Sequence, residues 1–465
     1  MKKLDVIQSS VIVIEKKFLS YQEINKIKYD LTVEEYDFDN NLSIKHFFKE
    51  SEDLLFVPKF YKNENIEFNI IKNLCSEGED INIEWNKDFE LREDKQSIID
   101  IIKNHNNGLI KLPTGFGKTI LSIHYISLMK KKTLIIVDRE VLLDQWKKSI
   151  LDSTDLKEEN IGIVKGDKMQ FDKPVIIAMV QTLVSKYKNS NEVMIKKFKE
   201  SNIGISIIDE VHSIVGPMST SEIIYMLFSK TTFGLSATPY RNSKKENIIM
   251  NYCIGDLLVD KVNEIIPLVK IINFTNNLPN KTYNYMSFGG KFNYMKYTKQ
   301  IYLHDEKFIH MVLDIITKII SKSVHKILIP ISIIDAIDKI IHTIDTNDKY
   351  INLRDKYIKL TSSTKNNFDD SKQIIFATSG LISKGYDNPS IETLLLTIPI
   401  GSNKVFLTQL VGRILRSKKD KNNMMIIDMV DNKYYETKSA YNSRLKNYKL
   451  FGYKIIEDNV TLENL

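Results

Sequence analysis

From Leu112 to Thr119 the chain runs Leu112, Pro113, Thr114, Gly115, Phe116, Gly117, Lys118, Thr119. Glycines at this spacing let consecutive backbone N–H groups curl around phosphate oxygens. A lysine directly after the last glycine can reach the β- and γ-phosphates of a nucleotide. A threonine after it can ligate Mg²⁺. The general pattern begins with glycine where this chain has Leu112, so a plain glycine-rich turn is the competing reading. A second candidate lies downstream, where the apolar run from Ile205 ends in Asp209, Glu210, Val211 and His212. Asp209 at a strand tip can hold Mg²⁺. Glu210 can then orient the attacking water and take its proton. Read alone, the same residues suit a helix cap with an acidic first turn. The P-loop upstream favours catalysis.

The elements that must position these groups follow from hydrophobic patterning. Short β-branched runs at 108–112, 133–137, 175–179 and 205–208 alternate with longer amphipathic stretches. Continuous apolar runs of this kind suit buried parallel strands, and the segments between them are long enough for crossover helices. A second such series occupies 269–274, 326–331, 373–377, 393–397 and 425–428. The fold class is therefore α/β, with two doubly wound parallel-sheet lobes in tandem. The expected boundaries are 1–88 for a small α+β accessory domain, 89–250 for a nucleotide-binding lobe and 251–465 for a C-terminal lobe. Residues 276–300, rich in tyrosine, phenylalanine and lysine, read as an insertion. Its aromatics either stack on nucleic-acid bases or pack against their own lobe.

Gln409, Arg413 and Arg416 share one face of a helix by their i, i+4, i+7 spacing. That face can project two guanidiniums at a γ-phosphate bound by the first lobe. Arginine fingers of this kind contribute about 10³–10⁵ in rate in other NTPases. A solvated basic helix is the alternative.

The ordered series LPTGFGKT, DEVH, LSATPYR (235–241) and QLVGRILR (409–416) resembles the superfamily 2 helicases of the DExH type, over about residues 89–431. The resemblance implies two RecA-like lobes, with ATP and Mg²⁺ as cofactors. Lys118, Asp209, Glu210, Gln409, Arg413 and Arg416 then form the catalytic set, with Thr119 and Asp209 at the metal. It implies that Ser236, Ala237 and Thr238 couple nucleotide to motion, and that Arg139 and Thr182 touch the nucleic-acid backbone. The segment 377–389 resembles a further motif of the second lobe. LTSSTKN (360–366) has Ser362 where relatives often have glycine. In LREDKQ, Lys95 takes the place of the adenine-reading glutamine and Gln96 falls one residue late. Base recognition by Gln96 and a solvated helix start are both open.

Within the superfamily, the DEVH box, the SATPYR and QLVGRILR runs and the tail after residue 426 resemble the group of phage UvsW-like, XPB-like and poxvirus transcript-termination helicases. That group implies a DNA-dependent ATPase with 3′–5′ helicase activity, release of nascent viral transcripts and support of late transcription. It also implies an RNA polymerase elongation complex as partner, in virion and host cytoplasm. A motor for recombination, repair or fork remodelling is the rival reading. A restriction-system helicase subunit and a non-hydrolysing binding module are the others.

The remaining composition sets bounds. A chain of 465 residues with net charge +7 suits several globular domains and is compatible with nucleic acid. Two distant cysteines give no disulfide framework or zinc ribbon and suit a reducing compartment. No apolar run approaches the roughly 18 residues of a membrane span, so the expectation is a soluble protein.

Overall fold

The computed structural model describes residues 1–36, 42–86, 93–113, 115–215, 220–240, 243–261, 266–288, 291–322, 326–361, 369, 371–378, 390–397, 399, 407, 410–411 and 424–457. They form two compact units, Met1–Val262 and Asn263–Leu465.

The first unit is built on an eight-stranded sheet. Its strand order is Lys168–Met169, Ile161–Lys165, Val175–Met179, Thr133–Val137, Ile205–Asp209, Thr231–Ser236, Asn107–Lys111 and Leu257–Asp260. All neighbours pair in parallel except the first two. The sequence-predicted runs at 133–137 and 175–179 are strands with those same bounds. Because successive strand residues face opposite sides, each strand feeds two cores. Ile110, Ile135, Val137 and Ile207 pack with Trp146 and Phe233 on one side. Leu109, Leu134, Ile136 and Ile208 pack on the other. The sheet runs past residue 250, since Leu257–Asp260 pairs with the strand that leads into the P-loop.

The N-terminal segment forms a five-stranded sheet, in which Lys2–Gln8 pairs with Val11–Glu15 and with Ile66–Asn73, plus one helix, Tyr21–Asp30. Ser20 closes that helix with a reciprocal capping box to Glu23. This segment is not a separate bead. Leu4, Ile14, Ile27 and Leu55 belong to the same hydrophobic cluster as Leu134, Ile208 and Ile254. Polar contacts fasten the seam. Ser10 Oγ donates to the Tyr225 carbonyl at 2.9 Å, buried Lys59 Nζ donates to the Ser229 carbonyl at 2.8 Å, and Lys49 Nζ reaches the Tyr187 hydroxyl at 2.8 Å.

The second unit carries a seven-stranded sheet in the order Tyr357–Leu360, Ile374–Ala377, Lys326–Pro330, Ile391–Leu396, Met425–Asp431, Leu268–Phe274 and Lys454–Ile456, parallel throughout. Buried Arg444 holds Asp428 through two hydrogen bonds of 2.8 Å, pinning helix Tyr435–Leu450 to the sheet. The 276–300 segment is not an open loop: it contains the helix Thr282–Met286, a short hairpin and the helix Tyr294–His304. Tyr297 is fully buried and donates to Asp431 at 2.8 Å. Tyr283 and Tyr294 bond to Glu436, and Phe292 lies within 5.3–6.1 Å of the Tyr283, Tyr294, Tyr297 and Tyr434 rings. These aromatics pack against one another and against their own lobe. Among the described residues no helix is long and apolar enough to cross a membrane.

Candidate active site

Parallel pairing aligns the strand ends of the first sheet. Lys111 pairs with Ser236, and Asp209 with Leu235. The P-loop, the acidic box and the Ser236–Thr238 turn therefore leave the same carboxyl edge, where open α/β sheets bind ligands.

The P-loop is shaped by Gly115 and Gly117, with φ of 83° and 94°. Gly117 caps the helix Lys118–Met129, so the loop ends on a helix N-terminus. Leu112, in the pattern's first glycine position, directly follows the strand Asn107–Lys111. Its N–H donates to the Ser236 carbonyl at 3.1 Å, and its side chain is buried with Ile110 and Leu121. Pro113 is buried, Phe116 and Thr119 are half-buried, and Thr114 lies outside the described residues.

At the acidic box, strand Ile205–Asp209 gives way to Glu210 in the left-handed region, φ 50° and ψ 50°. Strand alternation would send adjacent side chains to opposite faces. The left-handed turn breaks that alternation and lets both carboxylates serve one site, at a strain of about 1–2 kcal/mol. Lys118 Nζ lies 3.6 Å from Glu210 Oε1. Buried Asp209 accepts the Trp146 indole N–H at 2.8 Å and the Glu210 amide at 3.0 Å. Burial and the Glu210 charge push the Asp209 carboxyl up to about 6, against the pull of Lys118 and Trp146. Burial acts on Glu210 in the same sense, but Lys118, His212 and Ser236 outweigh it and hold that carboxyl below its ordinary value.

Val211 is buried in the core. His212 Nδ1 lies 2.8 Å from Ser236 Oγ and 3.4 Å from Glu210 Oε2. Ser236 Oγ also accepts the Thr238 amide at 2.9 Å. Ser236 and His212 thus tie the acidic box to the Ser236, Ala237, Thr238 turn. The helix-cap alternative for Asp209 and Glu210 does not describe this geometry, since neither side chain caps the short helix Val211–Ile214.

The pocket fits Mg²⁺. Two carboxylates share one nearby lysine, so a divalent cation would supply the missing positive charge. Asp209 with the Thr119 hydroxyl is an all-oxygen donor set of the kind Mg²⁺ takes.

Other candidates are placed less directly. Arg139 Nε is 3.4 Å from Asp138, and the Thr182 hydroxyl accepts the Gly166 amide at 3.0 Å. Gln181 donates to the Asp138 carbonyl at 2.7 Å, so these residues meet at the ends of neighbouring strands. Gln96 is exposed and donates to Asp100 at 3.1 Å, the solvated-helix alternative. Gln409, Arg413 and Arg416, and all of 362–368 and 379–389, lie outside the described residues. Sequence reasoning missed Trp146 as a partner of Asp209; an amphipathic helix with one tryptophan reads as core, and nothing in the pattern marks its N–H.

The fold and site define a P-loop ATP hydrolase with a RecA-like sheet. Comparison with known proteins narrows the class. The family model described as "Type III restriction enzyme, res subunit" matches residues 70–241. A protein of Invertebrate iridescent virus 6, named as a helicase, is 25% identical over 388 residues, 78% of this chain and 81% of that one. A protein of Acanthamoeba polyphaga mimivirus, named as an ATP-dependent RNA helicase, is 26% identical over 440 residues, 90% of this chain and 80% of that one. The transcript termination protein of Yaba-like disease virus is 26% identical over 334 residues, 68% of this chain and 66% of that one. In structure, the helicase domain of Pyrococcus furiosus Hef covers 76% of this chain and 98% of its own, at 15% identity and TM-score 0.51, a likeness of fold. These likenesses support an ATP-dependent helicase, a nucleic-acid motor enzyme that is similar to the superfamily 2 proteins.

Proposed function

We propose that this motor is a DNA-dependent ATPase that moves 3′–5′ and releases nascent transcripts from a viral RNA polymerase elongation complex. The observation that carries the catalytic half is the meeting of Lys118, Asp209 and Glu210 at one carboxyl edge, with Ser236 linked to both His212 and Glu210. The biological half draws on the likeness to the Yaba-like disease virus protein named for transcript termination.

The residues divide the work. Lys118 and the P-loop amides hold the polyphosphate. Thr119 and Asp209 would hold Mg²⁺, whose charge offsets that of the phosphates. Glu210, kept ionised by Lys118 and His212, orients the water and takes its proton. Loss of the γ-phosphate changes what Glu210 and Lys118 contact. The hydroxyl of Ser236 passes that change to the Thr238 turn. Arg139 and Thr182 touch the strand's phosphates, so binding is largely indifferent to base sequence. Arg413 and Arg416 stabilise transition-state charge.

The test is ATPase rate with single- and double-stranded DNA and RNA, unwinding of 3′- and 5′-tailed duplexes, and transcript release from stalled elongation complexes. The expected result is stimulation by DNA, unwinding from 3′ tails and ATP-dependent release. The relative named as an RNA helicase favours a second reading. Stimulation by RNA alone would establish that one and end the DNA proposal.

A further inference from the structure

At the carboxyl edge of the first sheet, three chain turns meet at one residue, Asp138. Ile136 pairs with Ile208, and Met179 with Val137. Continued past the strand ends, these registers set Asp138 level with Glu210 on one side and with the start of helix Val180–Asn189 on the other. The contacts follow the registers. Asp138 Oδ2 accepts the Ser213 hydroxyl at 3.0 Å and lies 3.4 Å from Arg139 Nε; the Asp138 carbonyl accepts the Gln181 side-chain amide at 2.7 Å. The second carboxylate oxygen, Oδ1, is buried with no hydrogen-bond donor among the described residues, so the charge is held through Oδ2. Ser213 belongs to the turn made by the acidic box. Its amide donates to the Glu210 carbonyl at 2.7 Å, and its hydroxyl lies 2.8 Å from that same oxygen.

The Ser213 hydroxyl has one proton and two acceptors in reach, and a charged acceptor binds it more strongly than a neutral one. Arg139 sets that balance. Its side chain is 40% exposed and that of Asp138 13%, so a phosphate can reach the guanidinium but not the carboxylate. A phosphate that draws Arg139 away leaves Asp138 its negative charge with less to offset it, which tightens its hold on Ser213. We propose that Asp138 is a positioning residue that transmits strand binding to the ATPase. Arg139 on a phosphate shifts the Ser213 hydroxyl from the Glu210 carbonyl toward Asp138, and the left-handed turn at Glu210 re-aims its carboxylate at the water. The proposal rests on Arg139 as a strand contact and adds the route by which that contact stimulates hydrolysis.

The experiment measures ATPase of the full chain with and without a saturating oligothymidylate or oligouridylate strand, and strand affinity by fluorescence anisotropy. The proteins are wild type, Asp138→Ala, Ser213→Ala, Ser213→Thr, the double alanine variant and Arg139→Ala, each checked by thermal melting. A lost charge-assisted bond predicts that Asp138→Ala and Ser213→Ala each lower the ratio of stimulated to unstimulated kcat about ten-fold, with strand affinity within about two-fold of wild type. Ser213→Thr keeps the hydroxyl and should keep most of the ratio. The double variant should lose no more than either single one, because both remove the same link. Ser213→Ala is the milder change and decides the matter if Asp138→Ala does not fold. A merely structural role would lower both rates together; an unchanged ratio in the folded variants overturns the proposal, and so do additive losses in the double variant. If Arg139→Ala binds the strand like wild type, the strand-contact reading itself fails. That outcome is distinct from a wild-type ratio in Asp138→Ala beside weakened binding in Arg139→Ala.

Discussion

Trp146→Phe should weaken the enzyme's apparent Mg²⁺ affinity while leaving nucleotide binding at saturating Mg²⁺ nearly unchanged. The indole N–H donates to the Oδ2 of buried Asp209 at 2.8 Å; the Glu210 amide holds the other oxygen at 3.0 Å. Phenylalanine keeps an aromatic ring in the core and deletes the donor. A hydrogen bond to a charged group contributes about 1.5–3 kcal/mol. Asp209 retains its second donor, so the lower end applies, and about 1.5 kcal/mol corresponds to roughly ten-fold in affinity. The missing N–H also removes one of the effects holding the Asp209 carboxyl down. The proton then competes better with the metal, in the same direction. The assay is steady-state ATPase against Mg²⁺ concentration at fixed nucleotide. Lost packing is the confounder, because Trp146 is 1% exposed. Phe233→Leu serves as control. It sits in the same cluster, edge-on to Tyr125 at 5.5 Å, and should cost about 1–2 kcal/mol of stability without touching Asp209. An unshifted Mg²⁺ curve in folded Trp146→Phe would refute the reasoning, as would an equal shift in the control.

Three further outcomes are expected. Glu210→Gln should bind Mg²⁺ and ATP but turn over at least 10²-fold more slowly in single-turnover ATPase, because the amide cannot take the water's proton; normal turnover would remove Glu210 from the chemistry. Ser236→Ala should leave basal ATPase within a few-fold yet cut strand unwinding at least ten-fold, since it breaks the link between His212 and the Thr238 amide; parallel losses in both assays would show that the hydroxyl is not a coupling element. Arg413→Ala should lower kcat about 10³-fold with little change in ATP affinity, and a loss of affinity without a loss of kcat would contradict the finger assignment.

Much of the site was legible because its parts are local. A P-loop needs glycines, lysine and threonine within eight positions, and each strand tip announces itself by the apolar run before it. What escaped depended on contacts between distant segments. Trp146 and Asp209 are 63 residues apart, and their hydrogen bond exists only because the helix after strand Thr133–Val137 packs back on the sheet in one register. The tyrosines of 276–300 have irregular spacing in sequence, and only the helix, hairpin and helix that they occupy bring Tyr283, Phe292 and Tyr297 together. The strand Leu257–Asp260, beyond the expected boundary at 250, is short, and its pairing with the P-loop strand, not its own pattern, puts it in the first sheet.

The shared core of the N-terminal sheet and the first lobe has a consequence for how the chain is made. Leu4, Ile14 and Ile27 leave the ribosome first, but their cluster also contains Ile249 and Ile254. At roughly 5–20 residues per second, about ten to fifty seconds separate the two ends of that cluster during synthesis. Over that interval an apolar sheet face stands in water with its other half unmade. That face is completed only once the helix Lys244–Ile254 has emerged. A break at residue 88 would make that exposure permanent, because the shared cluster lies within the one compact unit Met1–Val262.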